Sequence, residues 1–324
     1  MRLKESFQVL QIVMTTTPRA IALKADMISW RHLFKTIVVI LNLKKKKLKV
    51  LLLKIDLPYD TEIVESDHAV SATIEGRRIF DVAFLVEQLK TFGHHSEGLF
   101  GCSGNNMSFQ KEIRRGSCFE LVFKCDMCHK VEKLFSEPKD ESYMDVNTAT
   151  VLGNTCTGQS FSQMEERYAV LNMPSMSSKT YFKIEERLQK VIGERALEEM
   201  KEAIDEEKQL AIKRGDVDEN GVPLLTVVAD GSWAKRSYKC NYSSLSGMAS
   251  IIGFHTGKVL FIGVRNIFCL LCTLAEKRQI DTPTHTCFKN WSGSPNAMES
   301  DIIVGGFQQS IPMHGAKYIR LIGL

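Results

Sequence analysis

Leu224-Leu225-Thr226-Val227-Val228-Ala229 runs directly into Asp230-Gly231-Ser232-Trp233, and these ten residues decide the fold of the C-terminal third. An unbroken apolar, β-branched run predicts a buried strand, and the acid that follows marks its end. Downstream, residues 244–254 predict a second strand, His255-Thr256-Gly257-Lys258 a turn, and Val259–Asn266 a third strand. Ser294 followed by Pro295 opens a helix reaching about Gln309, with Met298, Ile302, Ile303 and Phe307 on its buried side. Residues 318–323 predict a final strand before Leu324.

Strand, strand, strand, helix, strand, with an acid ending the first strand, is how a ribonuclease-H-like core begins. There the fourth strand lies beside the first, so an acid at its end would meet Asp230. Paired carboxylates hold divalent metals that activate water in phosphodiester cleavage. Alone, an Asp after a strand is more often a turn residue than a ligand.

Between the third strand and the helix lies Cys269-x2-Cys272, followed by His285-x-Cys287. Four soft ligands at this spacing predict a closed, structural zinc site, against the alternative of surface thiols with an unrelated His. A second set lies upstream. Residues 82–92, capped by Asp81, predict a short helix with Val82, Leu85, Val86 and Leu89 at helical spacing. Residues 107–113, 118–124 and Val131–Phe135 predict strands, the second running into Cys125-x2-Cys128. Cys125 and Cys128 with Cys102 and either His94 or His95 would hold a second zinc; buried thiols at a turn are the alternative. A redox role is disfavoured, because no helix start follows to lower a thiol pKa.

Residues 145–157 and 161–171 predict two helices, and Pro174 ends the second. Ser177 or Ser178 then caps a long helix reaching about Arg214. This is helix-turn-helix punctuation, which would turn Ser177, Ser178, Lys179, Thr180 and Lys183 toward DNA. A plain helical subdomain reads equally well, since residues 185–214 carry nine acids against seven bases and would not lie along phosphates.

The 324 residues allow two or three domains, and 44% hydrophobic with 25% charged residues excludes fibrous and wholly disordered classes. The net charge of +4 hides an asymmetry: residues 1–54 hold 12 Lys and Arg against Glu5 and Asp26. This basic segment, with Lys44-Lys45-Lys46-Lys47 and Lys49, reads as a disordered extension, either a nuclear-localisation or phosphate-binding patch or a solvated charge run. Neither a secretory signal nor a membrane span is readable, so an intracellular, nuclear protein is expected. The expected division is a basic extension over 1–54, a zinc-ribbon-like β subdomain over 74–140, a helical block over 141–216, and the mixed core over 222–324. The fold class is α+β.

Longer motifs carry a resemblance. Asp230-Gly231-Ser232-Trp233 with Lys235-Arg236-Ser237-Tyr238 and Asn241-Tyr242, then Val259-Leu260-Phe261-Ile262-Gly263-Val264-Arg265-Asn266, resembles the transposase domain of animal Mutator-like DNA transposons. Cys287-Phe288-Lys289-Asn290-Trp291-Ser292-Gly293-Ser294, Met298-Glu299-Ser300-Asp301 and Met313-His314-Gly315 extend the likeness, as do Phe123-Lys124-Cys125 and Met176-Ser177-Ser178-Lys179-Thr180-Tyr181. It covers about residues 74–324.

The resemblance implies a Mg2+- or Mn2+-dependent, DNA-binding cut-and-paste transposase with two Asp and one Glu, Asp230 falling on the first Asp. In the family the last strand is followed by Asp-Gly-Asp; here Leu324 takes that place. Truncated cleavage chemistry is therefore expected, leaving a DNA-binding protein of transposon origin with structural zinc. A zinc-stabilised regulatory DNA-binding protein and a non-functional gene fragment are the alternatives. Lys235 and Arg236, with Lys289 and Trp291, would face DNA near Asp230. Glu299 and Asp301, two apart on a helix, point to different faces and offer no evident substitute acid. Homo-oligomerisation stays open.

Overall fold

The computed structural model describes residues 74–94, 101–139, 144–233, 244–285 and 287–323. The basic extension over 1–54, His95, Lys235, Arg236 and Leu324 lie outside the described residues. The chain divides into two compact units at Glu185 and Glu186.

In the first unit, helix α1 (Val82–Thr91) starts where Asp81 Oδ1 accepts the Phe84 N–H at 2.9 Å. Strands β1 (Met107–Arg115), β2 (Cys118–Cys125) and β3 (Val131–Phe135) form an antiparallel sheet in that order. Period-two alternation sends Phe119, Leu121, Phe123 and Leu134 to one face, where they pack with Phe80, Phe92 and Phe109. Edge-to-face ring pairs knit this layer, Phe80 on Phe119 at 4.9 Å and Phe92 on Phe123 at 5.0 Å between centroids.

Helix α2 (Val146–Thr157) is capped by Asp145 and closed by left-handed Gly158. Helix α3 (Phe161–Val170) carries a capping box, Ser160 and Gln163 each accepting the other's backbone N–H at 3.2 and 2.7 Å. Val151, Leu152, Met164, Tyr168, Met176 and Tyr181 are buried among these helices. Helix α4 (Ser178–Arg214) begins in this unit and continues into the next.

The second unit holds strands β4 (Leu224–Trp233), β5 (Ser246–Gly253) and β6 (Val259–Asn266), then helix α5 (Leu270–Arg278), helix α6 (Met298–His314) and strand β7 (Lys317–Gly323). The sheet order is β6-β5-β4-β7, with β7 parallel to β4 and the other pairs antiparallel. The fourth strand thus pairs with the first. Ala203, Ile204 and Ala211 of α4 pack with Leu225, Val227, Ile251, Leu260, Ala316 and Tyr318. Full burial of Leu225, Val227 and Ile251 stabilises the sheet by roughly 1.5–3 kcal/mol each.

Two boundaries differ from expectation. Strand β4 does not end at Asp230 but continues to Trp233, because Asp230, Gly231, Ser232 and Trp233 keep pairing with Ser250, Ala249, Met248 and Gly247. Helix α6 reaches His314 through Pro312, whose missing N–H is tolerated one turn before left-handed Gly315 closes the helix with a 2.8 Å bond to the Ile311 carbonyl. Among the described residues, no helix is long and apolar enough to cross a membrane.

Candidate metal centres and nucleic-acid contacts

Cys269, Cys272, His285 and Cys287 converge, their ligand atoms all within 4.8 Å of one another. Cys269 stands at the N-cap of α5 and Cys272 in its first turn, a helix the sequence reading did not anticipate. His285 Nε2 lies 3.2 Å from Cys269 Sγ and 3.5 Å from Cys272 Sγ; the Sγ atoms of Cys272 and Cys287 are 3.5 Å apart. Zinc with sulfur at about 2.3 Å and nitrogen at about 2.0 Å sets tetrahedral ligand atoms roughly 3.5–3.8 Å apart, so the donor set fits the ion. The other ring nitrogen, Nδ1, donates to the Pro283 carbonyl at 2.8 Å, which leaves Nε2 for the cluster. Burial and the neighbouring thiols push Cys272 up to about 12, crowding that a cation would relieve.

Cys102, Cys125 and Cys128 form a second group within the same limit. The Cys125–Cys128 turn is a backbone knuckle: Cys125 N–H donates to the Lys130 carbonyl, His129 N–H to the Cys125 carbonyl, and His129 adopts φ 62°. The Asp126 N–H reaches back to Asn106, bringing the loop after Cys102 alongside. Desolvation and the other two thiols push Cys102 up to about 11. His94 is described and does not belong to this group.

A third cluster, Cys118, Glu137 and Asp145, was not foreseen. Cys118 donates to Glu137 at 2.9 Å, Glu137 accepts the Val146 N–H, and Asp145 accepts from Thr148 N and Oγ1. Capping of α2 accounts for the two carboxylates, and the Cys118 thiol is a hydrogen-bond donor to one of them. Burial raises both the Cys118 thiol and the Glu137 carboxyl, keeping the thiol a donor.

Asp230 is exposed on β4, one residue past the last β4–β7 pair, Ala229 with Gly323. At the next residue, on the opposite face of the strand, the carboxyl of Glu299 packs against Gly231. Asp301 points elsewhere, bonding Arg265 Nε at 2.6 Å. Among the described residues Asp230 belongs to no group of three ligand atoms of the kind seen at the thiol clusters.

At the start of α4, Ser177, Ser178, Lys179 and Lys183 are exposed, but Thr180 is buried, 4% exposed. Its N–H donates to Ser177 Oγ at 3.2 Å, so it serves the helix cap and turns away from solvent. Trp291 donates Nε1–H to the Ser294 carbonyl at 3.0 Å, and Lys289 is exposed.

Two sheets, capped helices and two cysteine-rich clusters of metal-ligand type define a mixed α+β protein. A family model described as Mutator-like transposase matches residues 76–323. The chain belongs to the Mutator-like transposase family, and membership of a transposase family implies DNA binding. No curated protein and no solved structure matches it.

Proposed function

We propose that residues 74–323 act as a zinc-stabilised, DNA-binding transposase segment that does not itself cut DNA. The observation that carries the DNA-binding part of this reading is the family match over residues 76–323. The β6-β5-β4-β7 order, with α6 crossing over to a β7 parallel to β4, supports a ribonuclease-H-like reading of the core. Asp230 is its first metal-ligating acid in this reading. The second thiol cluster takes zinc with a fourth ligand, and residues 74–140, 141–216 and 222–324 act as separate modules after the basic extension over 1–54 in this reading. Ser177, Ser178, Lys179 and Lys183, together with Lys235 and Arg236, contact DNA, and the protein works in the nucleus, alone or as a homo-oligomer.

Asp230, exposed and outside every three-ligand group among the described residues, supports binding over strand cleavage in this reading. Supercoiled plasmid with Mg2+ or Mn2+ tests it: no nicking above an Asp230→Ala control is expected. Metal-dependent nicking that the substitution abolishes would overturn the reading. Failure to retain a DNA duplex even at low salt would remove the DNA role altogether.

A further inference from the structure

The face of the β1-β2-β3 sheet opposite the phenylalanine layer is cationic. The register sets Lys111, Val122 and Lys133 side by side across the three strands, with Ile113, Glu120 and Phe135 in the next row. Arg115 and Lys124 occupy the same face on the rows beyond. Lys139, just past β3, bends back over the Phe135 ring with its ammonium 4.5 Å from the centroid.

Glu120 is the acid the sheet register puts among these cations, and it is buried, its side chain 8% exposed. It lies 3.1 Å from Lys133 Nζ, 3.1 Å from Lys139 Nζ and 3.4 Å from Arg115 Nη1. One carboxylate thus organises three cations whose side chains remain 42%, 46% and 50% exposed for Arg115, Lys133 and Lys139. It cannot neutralise them, and Lys111 and Lys124 add two further positive charges against Asp126, bonded to Ser108 beside Lys124, and Glu137, bonded to Cys118 beside Arg115, so the face stays net positive. The result is a preordered positive surface with a packed apolar underside.

We propose that this cationic sheet face docks on the phosphate backbone of DNA. The inference rests on the DNA-binding reading above and assigns it a surface outside the α4 helix start and the Asp230 edge. Lysine is depleted at the cores of protein–protein interfaces, which disfavours a protein partner. It is suited to phosphate as a point charge, and each neutralised phosphate adds to binding by counterion release. With no guanidinium fork aimed outward except Arg115, already held by Glu120, the face contributes affinity and register and no base readout.

The test uses the full chain with a 30-base-pair duplex of arbitrary sequence, and reads binding against salt concentration. Lys111→Gln/Lys124→Gln/Lys133→Gln leaves Arg115 and Lys139 on Glu120. It should make the log–log salt slope shallower by about 2–3, at about 0.9 per lost phosphate contact, while Lys90→Gln/Lys277→Gln leaves it unchanged. An unchanged slope in the triple variant, with wild-type binding intact, overturns the assignment of this face and spares the DNA reading. Absence of wild-type binding at low salt overturns both. Lysine acetylation of the wild-type chain needs no variant: DNA should protect Lys111, Lys124 and Lys133, and equal labelling with and without DNA sinks the proposal. A duplex RNA that competes better than the DNA overturns the choice of partner.

Discussion

The carboxyl group of Glu299, in the first turn of α6, rests directly on the Cα of Gly231 in β4. A methyl group built on Gly231 would meet all three carboxyl heavy atoms well inside van der Waals contact. The glycine is therefore what admits the Glu299 carboxyl to this face of the strand, opposite the face that carries Asp230. Gly231→Ala should destabilise by about 1–3 kcal/mol through overpacking. Adding Glu299→Ala should recover much of that loss. Urea midpoints of the two single variants and the double variant measure the coupling, and simple additivity would show that the contact is not what constrains position 231.

Glu207 of α4 is fully buried and its Oε1 accepts three bonds from the β5–β6 turn: His255 N–H at 3.0 Å, Thr256 N–H at 2.7 Å and Thr256 Oγ1 at 2.9 Å. Gly253, where a Cβ would collide with this same carboxyl, gives it room. Glu207→Ala should cost roughly 2–4 kcal/mol, since three turn donors lose one acceptor. Glu207→Gln retains an acceptor oxygen and should cost less. Equal unfolding midpoints for the two variants would refute the acceptor role.

Arg78 and Glu112 form a two-point ion pair at 2.6 and 2.7 Å, with side chains only 11% and 4% exposed. Removing Arg78 alone leaves a buried carboxylate with only Arg114 Nε, 4.0 Å away, as its cation, so Arg78→Ala should cost about 3 kcal/mol. Arg78→Met/Glu112→Leu should cost far less, because it removes both charges. Thermal unfolding of the single and double variants separates these outcomes.

His314 is held neutral by burial and by the nearby Lys208 cation, which lower it to about 4 from the usual 6.5. Its Nδ1 accepts the Tyr318 hydroxyl at 2.6 Å, tying the end of α6 to β7. A depressed pKa gives stability that is complete above the unfolded value and lost as pH falls from about 6.5 toward about 4. The loss is on the order of 3 kcal/mol at most. His314→Phe should flatten unfolding free energy across this window, and a pH profile identical to wild type would count against the assignment.

Chelation should act locally as well as globally. The segment holding Cys269, Cys272, His285 and Cys287 has Ala275 as its buried helical residue in α5, so little packing remains once the clip is open. Protease cleavage between Ile267 and Lys289 is expected to accelerate after chelator treatment, and equally in Cys272→Ser without chelator. Metal analysis should return two zinc ions per chain, falling to one in Cys272→Ser.

Much of this architecture was legible because it depends on neighbours in sequence. Asp81 and Ser160 cap helices through atoms three residues away, and the alternation in 118–124 follows from the pleat alone. The patterns over 224–229, 244–254 and 259–266 likewise foretold three strands, and the spacing Cys269-x2-Cys272 with His285-x-Cys287 foretold four ligands around one point. The burial of Thr180 was not legible, because exposure depends on which side of α4 meets its neighbours, and that is a property of packing. The continuation of β4 past Asp230 was hidden because it depends on β5 as a pairing partner.

What the sequence by itself determined were the elements, their caps and the ligand spacings, because those interactions close within a few residues. What tertiary structure alone decided were the contacts of Glu299 with Gly231, Glu207 with Gly253, and Glu120 with Lys133 and Lys139. Each joins residues brought together by a helix crossing or a strand register. Neither is encoded in local periodicity, because a crossing or a register is chosen by the packing of whole faces.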